Sequence, residues 1–430
     1  MTTLPKETRH IPLSANLLDV PKSATLAINE LSKQLVLEGK DVVRLGLGQS
    51  PFPVPDHMVE LLRDYASAKD YMAVQGYLPL REAISDYLAR VEGIDSGADR
   101  IIIGPGSKEL FFGLQMALDC DLLLPAPSWV SYRPQATLLD RRTTWLPCAA
   151  SDGWKLRADT LDAHCRQHAG KRQLLVLNSP NNPSGACFDE QELRDLAAVA
   201  RRHELIVLSD EIYSELHYQG QHLSMARFYP EGTIVSNGIS KWAGAGGWRL
   251  GFFHIPEPLR AVLDAMIVIA SETFTSVSAP IQMASIAAFE PHHGMQAYID
   301  ASRQIMRDIG GAFARELARN GVDCVPSAGG FYLIGSFDAQ REALLKRGIT
   351  NSLDLSRQLL QSTGVAALPI VDFGLNKGLG LRFAFVDFDG QALLKRKLDD
   401  PQLELDDSTE ELRHLMSAAQ RIGDWLGQPG

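Results

Sequence analysis

Cysteine is scarce in this chain. Five cysteines occur among 430 residues, and no two of them form a CxxC pair. A disulfide framework needs a paired set of cysteines, and a zinc site needs short cysteine or histidine motifs. We therefore predict free thiols, no bound metal and a cytoplasmic location. The five are Cys120, Cys148, Cys165, Cys187 and Cys324.

Long apolar runs and excess positive charge are also missing. The longest apolar stretch, residues 261–270, contains Asp264 and falls short of the roughly 20 apolar residues that span a membrane. Residues 1–18 contain no apolar core of signal-peptide length. The chain carries 42 Lys and Arg against 52 Asp and Glu, a formal charge of −10. We therefore expect neither a membrane nor a nucleic acid as partner.

What is present is typical of a globular α/β protein. Hydrophobic residues make up 45% of the chain and charged residues 22%, which excludes a disordered or collagen-like chain. Short apolar runs alternate with amphipathic helical stretches such as residues 190–202. The strands predicted for one large sheet are residues 101–103, 122–124, 174–177, 205–208, 233–235 and 250–253. We assign residues 46–295 to this large domain.

The C-terminal part has a different pattern. A helix is predicted over residues 301–320, strands over 331–334 and 381–385, and a closing helix over 409–426. Residues 296–430 are therefore interpreted as a second, smaller α+β domain. Residues 1–45 are expected to join it.

Polar residues follow several of the predicted strands, where open α/β sheets bind their ligands. The turn GPGSK, residues 104–108, leads into an apolar helix whose free N–H groups would suit a phosphate. Taken alone, the segment is better explained as an ordinary glycine turn, because it matches neither GxGxxG nor the P-loop.

Two further segments carry candidate ligands. NSPNNPSG, residues 178–185, follows one strand, and SDEIY, residues 209–213, follows the next. Asp210 and Tyr213 would reach one ligand from two sides, although a helix cap and a packing tyrosine are an equal alternative. Asn182 lies in the first segment, which also suits a plain turn.

Lys241 lies in a loop of small residues, SKWAGAGGWRLG, eight positions before Arg249. An isolated lysine usually lies in solvent. Glycines on both sides allow the backbone to approach a ligand closely, and a lysine in such surroundings can act as a Schiff-base nucleophile.

Together, NNPSG, SDEIY and SKWAGAGGWRLG in this order resemble the aspartate-aminotransferase-like class I/II aminotransferases of pyridoxal-phosphate fold type I. The resemblance extends from about Leu45 to Phe385. It implies a large, mostly parallel, three-layer α/β domain with a smaller α+β domain, and pyridoxal 5′-phosphate (PLP) as the cofactor.

The resemblance also implies roles for the residues at the cofactor ring. Lys241 matches the lysine that bonds to the cofactor and later moves the proton, and Asp210 matches the partner of the ring nitrogen. Tyr213 and Asn182 match the groups that hydrogen-bond the ring's 3-oxygen. Trp129 matches the aromatic residue that stacks on the ring.

At the phosphate, Arg249 matches the arginine that binds it, and Ser107 and Lys108 match the helix-start amides. Family members often carry a serine three residues before the lysine, where this chain has Gly238. Ser236 or Ser240 would have to replace that contact, and Ser240 is included among the expected cofactor-binding residues.

The expected substrate contacts are Arg382 and Gly48, both for the α-carboxylate, with Asn182 beside them. Tyr71 resembles the tyrosine that reaches the phosphate of the neighbouring subunit, which implies a homodimer with shared active sites. Residues 48–52, GQSPF, depart from the common GEPDF pattern. The entrance to the substrate site is therefore expected to differ, and the identity of the substrate stays open.

The function implied is an aminotransferase that moves the α-amino group of an L-amino acid to a 2-oxo acid, with 2-oxoglutarate expected, by a ping-pong mechanism. A C–S β-lyase or aminocyclopropanecarboxylate-synthase-like lyase on the same scaffold is the alternative. A regulator that uses the domain as a sensor is discounted for want of a DNA-binding module. The Lys108 side chain either binds a distal carboxylate or points to solvent.

Overall fold

Strands that are apolar on both faces form the main sheet. The computed structural model describes residues 14–17 and 24–428. The sheet has the order β2-β8-β7-β6-β5-β3-β4, in which β8 is antiparallel to both neighbours and the other pairs are parallel. The first eight strands are β1 Val43–Arg44, β2 Ile101–Gly104, β3 Asp121–Ala126, β4 Thr143–Pro147, β5 Gln173–Asn178, β6 Ile206–Asp210, β7 Thr233–Gly238 and β8 Gly251–His254.

Helices cover both faces of this sheet. The helices are α1 Ala24–Leu37, α2 Asp56–Tyr65, α3 Leu78–Tyr87, α4 Ser107–Ala117, α5 Tyr132–Leu138, α6 Ala158–Gln167, α7 Glu190–Arg202, α8 Arg260–Glu272, α9 Ala279–Phe289, α10 His293–Arg319, α11 Arg341–Lys346, α12 Ser352–Thr363, α13 Gly390–Asp399 and α14 Arg413–Leu426. None in the described part of the chain is both long and apolar enough to cross a membrane.

Successive residues of one strand pack into different layers. Leu174 and Val176 of β5 join a buried cluster with α4 and α8, whereas Leu175 and Leu177 join one with α6 and α7. This alternation is the period-2 geometry of a strand, and it explains the apolar runs in the sequence. The predicted fold class, a three-layer α/β arrangement with a mostly parallel sheet, is confirmed.

A smaller antiparallel sheet follows in the chain, with order β12-β13-β10-β9. The remaining strands are β9 Asp323–Cys324, β10 Tyr332–Ser336, β11 Val365–Ala366, β12 Leu368–Pro369 and β13 Gly380–Ala384. The 27-residue helix α10 packs against α13 and α14 beside this sheet. β1, near the N-terminus, pairs in parallel with β11.

Strand ends bring the candidate residues to one edge. The parallel strands β5, β6 and β7 end at Asn178, Asp210 and Gly238. At the same edge, Gly251 at the start of β8 pairs with both Gly238 and Gly104, after which α4 begins. The segments singled out in the sequence therefore meet at the carboxyl edge of the sheet.

Candidate active site

Lys241 lies three residues beyond β7 and is half-buried. Its Nζ donates a 2.6 Å hydrogen bond to the carbonyl oxygen of Gly48. Burial, followed by the positive charges of Arg382 and Arg249, lowers the pKa of Lys241 to about 8. About one tenth of this amine is therefore unprotonated at pH 7, far more than in an ordinary lysine, and this fraction can act as a nucleophile.

The loop that carries Lys241 needs its glycine at position 244. Gly244 has φ +65°, and a Cβ there would lie 2.6 Å from the carbonyl oxygen of Phe52 and 2.9 Å from that of Pro53. Only glycine combines this left-handed backbone with such close approach. The loop is thus packed against the N-terminal part of the chain.

Asp210 is buried at the end of β6. Its Oδ2 accepts a 2.6 Å hydrogen bond from the Tyr132 hydroxyl, and its Oδ1 accepts one from the backbone N–H of Ile212 at 3.4 Å. Burial raises the pKa of Asp210 to about 6, against the lowering effect of the Tyr132 hydrogen bond. This carboxylate is therefore suited to a cationic partner.

Asn182 and Tyr213 are both buried beside Asp210. The Asn182 backbone N–H donates to Asn178 Oδ1 at 2.7 Å, and Asn178 Nδ2 donates to the backbone oxygen of Asp210 at 2.8 Å. Asn178 thus ties the NNPSG turn to the end of β6. The Tyr213 hydroxyl lies 2.9 Å from the hydroxyl of Tyr332.

The start of α4 has the features of an anion site. Gly106, at φ +85°, caps the helix without a side-chain hydrogen bond. The exposed Arg249 donates from Nη2 to the Pro105 carbonyl oxygen at 3.1 Å, and a Cβ on Gly106 would overlap its guanidinium. A Cβ on Gly251 would overlap the backbone nitrogen of Ser107. A fixed positive charge thus lies beside a helix N-terminus.

Lys108 lies over the indole of Trp129, with Nζ 5.0 Å from the ring centroid. Partial burial and then the charge of Arg249 lower the pKa of Lys108. Trp129 packs edge-on against Tyr132, their centroids 5.3 Å apart. The Lys108 side chain is exposed but in contact with the predicted stacking residue, and does not simply extend into solvent.

Arg382, on β13, brings a buried cation from the small sheet. Its Nη1 donates to Asn182 Oδ1 at 3.4 Å and its Nη2 donates to the Gly46 carbonyl oxygen. Its Nε is buried and has no hydrogen-bond partner among the residues that the structure describes. The guanidinium carbon lies 4.7 Å from the ring centroid of Tyr332. An unpaired buried donor of this kind suits a carboxylate ligand.

Gly238 departs from the expected serine for a steric reason. A Cβ at this position would lie 2.7 Å from the Leu250 carbonyl oxygen and 2.8 Å from the Cα of Gly251. Close packing of β7 on β8 therefore excludes a side chain there. Ser236 is fully buried within β7, whereas Ser240 is half-buried next to Lys241.

Two tyrosines of the site were not predicted from the sequence. Tyr132 donates to Asp210, and the Tyr332 hydroxyl contacts that of Tyr213. Tyr132 stands three residues after Trp129, and this closeness in sequence to a predicted cofactor contact was the available signal. Tyr332 contacts its partner across 119 residues of sequence, so no local pattern indicated it. Tyr71, in contrast, is 90% exposed and extends from the protein surface.

A buried charged trio adjoins the site through Glu211. Ligand atoms of Glu92, Glu211 and His222 lie within 4.8 Å of one another, a spacing that a metal ion would accept. His222 Nδ1 is 2.8 Å from Glu92 Oε1. Burial lowers the pKa of His222, but the carboxylates of Glu92 and Glu211 outweigh it and raise the pKa to about 9. An imidazolium at His222 therefore balances one negative charge of this trio.

This set of donors fits PLP. An amine of lowered pKa, a buried carboxylate, a buried phenol and an anion site correspond to the aldehyde, ring nitrogen, ring oxygen and phosphate of that cofactor. Gly106 and Gly251 leave the start of α4 open beside Arg249. The α/β sheet and these groups at its edge define an enzyme of the PLP-dependent aminotransferase class.

Comparison with known proteins shows the family. The sequence profile described as "Aminotransferase class I and II" matches residues 40–388. The asparagine–oxo-acid transaminase of Streptococcus mutans is 30% identical over 389 residues, which cover 86% of this chain and 94% of that protein. A "probable aspartate/prephenate aminotransferase" of Thermus aquaticus is 31% identical over 392 residues, covering 90% and 97%.

Comparison with solved structures points to the same family. The aspartate aminotransferase from Thermus thermophilus with maleate superposes with a TM-score of 0.83 at 26% identity, covering 96% of this chain and 99% of that one. The chain belongs to the class I and II aminotransferases. It is a PLP-dependent amino-acid transaminase with amino acid and 2-oxo acid substrates, and the lyase alternative is not favoured.

Proposed function

We propose that this transaminase takes an acidic amino acid, aspartate or glutamate, as donor and 2-oxoglutarate as acceptor, in a ping-pong cycle. The observation that carries the proposal is the pair of cations at the site, Arg382 and Lys108. A dicarboxylic substrate presents two negative groups to them. The name of the Thermus aquaticus relative, which specifies aspartate, and the maleate held by one neighbour support the same substrate class.

In this proposal each residue at the cofactor ring has a defined role. When bound, PLP supplies an electron sink for the substrate's α-carbon. Lys241 Nζ holds the cofactor and then moves the proton, and its lowered pKa makes the unprotonated amine easier to reach near neutral pH. Asp210 and Tyr213 bind the ring nitrogen and ring oxygen, with Asn182 beside Tyr213.

The remaining contacts orient the ligands. Trp129 covers the ring, and the α4 amides of Ser107 and Lys108 hold the phosphate together with Arg249. Ser240 takes the phosphate contact that Gly238 is too tightly packed to provide. At the other end, Arg382 and the backbone of Gly48 receive the substrate's α-carboxylate.

The substrate proposal is tested by the substitution Lys108→Gln. This change removes the ammonium and keeps the backbone amide at the start of α4. We expect kcat/KM for aspartate and glutamate to fall by about 10- to 100-fold, since a hydrogen bond to a charged group contributes about 1.5–3 kcal/mol. The value for phenylalanine should stay unchanged. Steady-state assays with both donor types and 2-oxoglutarate give the comparison.

Two variants serve as controls for this experiment. Lys108→Arg keeps the positive charge and should retain preference for acidic donors. Lys395→Gln removes a lysine whose side chain is 80% exposed on α13. It should leave kcat/KM unchanged for both acidic and aromatic donors. Equal losses for acidic and aromatic donors in Lys108→Gln would exclude Lys108 from substrate recognition.

We also propose a homodimer whose active sites are shared through Tyr71. The loop that carries this residue is fixed to the edge strand β2, because Gln75 Nε2 donates to the Ile101 carbonyl oxygen and the Ile103 N–H donates to that of Gln75. A tyrosine that is 90% exposed on an anchored loop is suited to contact a second chain.

Mixing two inactive variants tests the shared site. In a hybrid of Lys241→Ala and Tyr71→Ala chains, one site combines an intact Lys241 with an intact Tyr71 from the partner. We expect the mixture, after subunit exchange, to exceed the activity of either parent, and light scattering to give about twice the 47.2 kDa chain mass. A monomer, or no recovery in a proven hybrid, would contradict the proposal.

Two further parts of the sequence interpretation remain proposals. The division into residues 1–45, 46–295 and 296–430 is supported by the pairing of β1 with β11, which attaches the N-terminal segment to the C-terminal part. A cytoplasmic location is supported by the five cysteines, all of which are free thiols.

A further inference from the structure

Tyr332 lies where three parts of the proposed site meet. Its side chain is 1% exposed on β10. Its hydroxyl lies 2.9 Å from that of Tyr213 and 3.5 Å from the Gly48 carbonyl oxygen. The face of its ring lies 4.7 Å from the guanidinium carbon of Arg382. One side chain thus contacts the groups proposed for the cofactor ring and for the substrate carboxylate.

The strand register accounts for this position. β10 runs antiparallel to β13, with Ile334 opposite Arg382. Tyr332 is two residues from Ile334 and therefore lies on the same face of the sheet, diagonal to Arg382. Glycine at position 48 leaves room for the hydroxyl, because a Cβ there would overlap it.

The two phenols form a short donor chain. Burial raises the pKa of both Tyr213 and Tyr332, so each keeps its proton at neutral pH. If Tyr213 donates its proton to a ligand oxygen, the Tyr332 hydroxyl is the donor to the oxygen of Tyr213, and this bond strengthens Tyr213 as a donor. The charged groups around the pair are Asp210, Lys241 and Arg382.

The ring of Tyr332 has a separate effect on Arg382. A guanidinium stacked on an aromatic face is held in one plane, and the attraction is stronger where water is excluded. Arg382 is 3% exposed, and within the described part of the chain its Nε has no hydrogen-bond partner. The stacking contact therefore helps to fix the orientation of that unpaired donor.

We infer that Tyr332 is a positioning residue for both ends of the reaction: its hydroxyl supports Tyr213 at the cofactor ring, and its ring orients Arg382 for the substrate carboxylate. The inference rests on the proposed function, because it requires Tyr213 and Arg382 in those tasks. Separate substitutions distinguish the hydroxyl from the ring.

Tyr332→Phe removes only the hydroxyl. A weaker donor at Tyr213 leaves the negative charge of the ring oxygen less stabilised, so the lysine–cofactor linkage keeps its proton to higher pH. We expect the pH midpoint of the bound cofactor's visible absorbance to rise by about half a unit or more. Because the ring remains, the KM for aspartate should stay within about threefold of wild type.

Tyr332→Leu removes the ring as well. Loss of the stacking contact should raise the KM for aspartate by about tenfold or more, in addition to the spectral shift. Tyr218→Phe is the matched control, since it deletes another buried hydroxyl, which donates to the Gly330 carbonyl oxygen at 3.1 Å. It should move neither the midpoint nor the KM.

The outcomes separate this inference from the function beneath it. Suppose that the wild-type enzyme binds PLP and transaminates. An unchanged pH midpoint in folded Tyr332→Phe then overturns the inference and leaves the proposed function intact. A Leu variant with wild-type KM does the same. A wild type that neither binds PLP nor transaminates overturns both. If the Leu variant does not fold, the Tyr332→Phe midpoint alone decides the matter.

Discussion

Lys241→Ala is expected to lose at least about 10,000-fold in transamination rate, because it removes both the amine that bonds to the cofactor and the group that moves the proton. Within the described residues, Lys241 Nζ is the amine that donates to the Gly48 carbonyl oxygen. Asp210, Tyr213 and Arg382 lie around it. The purified variant should also lack the visible absorbance of the lysine-bound cofactor. Steady-state kinetics and an absorbance spectrum measure the two effects.

Lys395→Ala provides the control for removing a lysine, since that side chain is exposed and forms a surface ion pair with Asp399 at 3.1 Å. It should leave both the spectrum and the rate unchanged. A Lys241→Ala enzyme with the wild-type spectrum and turnover would show that another amine holds the cofactor, with Lys108 as the first residue to examine.

Asp210→Asn is expected to have the second largest effect. The substitution keeps the shape of the side chain and removes its charge, so the ring nitrogen loses its buried anionic partner. Deleting one member of a buried ion pair costs about 3–5 kcal/mol, which corresponds to roughly three orders of magnitude in rate or cofactor affinity. Rapid measurement of the first half-reaction and a PLP titration separate these two effects.

Asp121→Asn is the matched control for Asp210. Asp121 begins β3, so it lies at the opposite edge of the same sheet, where the parallel strands start. It should retain wild-type rate and cofactor affinity. A loss below tenfold in both quantities for Asp210→Asn would reduce Asp210 to a structural role with Tyr132.

Much of the main sheet follows from local sequence patterns. Apolar runs predict β2, β3, β5, β6 and β7 because both faces of these strands are buried. The helix predicted over residues 190–202 has those same bounds, since Asp189 and Glu192 form a capping box before an apolar stripe. The edge strand β4 was missed, because its first three residues are only partly buried and show no such run.

The start of helix α10 was predicted at the wrong residue. The sequence predicts residues 301–320, whereas the helix begins at His293, where His292 accepts a hydrogen bond from the Met295 N–H. Met295, Tyr298 and Ile299 continue the buried face toward the N-terminus. A histidine cap and a glycine in the first turn gave a weak start signal.

Site residues on the strand ends were predictable because motif and topology act together. Three other features of the site could not be predicted from the sequence. They are the hydroxyl contact between Tyr213 and Tyr332, the hydrogen bond from Tyr132 to Asp210, and the lack of room for a side chain at Gly238. Each depends on distances between segments that are remote in sequence, and these arise only when the sheets pack. Local patterns therefore indicate the chemistry, and tertiary packing determines how it is supported.

The central claim, PLP-dependent transamination of an acidic amino acid, is tested most directly by a single half-reaction. The holoenzyme is mixed with aspartate without any acceptor, while the cofactor spectrum, 2-oxo acid and ammonia are followed. Stoichiometric conversion of the cofactor to its aminated form, with one oxaloacetate per site and reversal by 2-oxoglutarate, is the predicted result. Continuous release of ammonia, with the spectrum returning to its starting state, would contradict it.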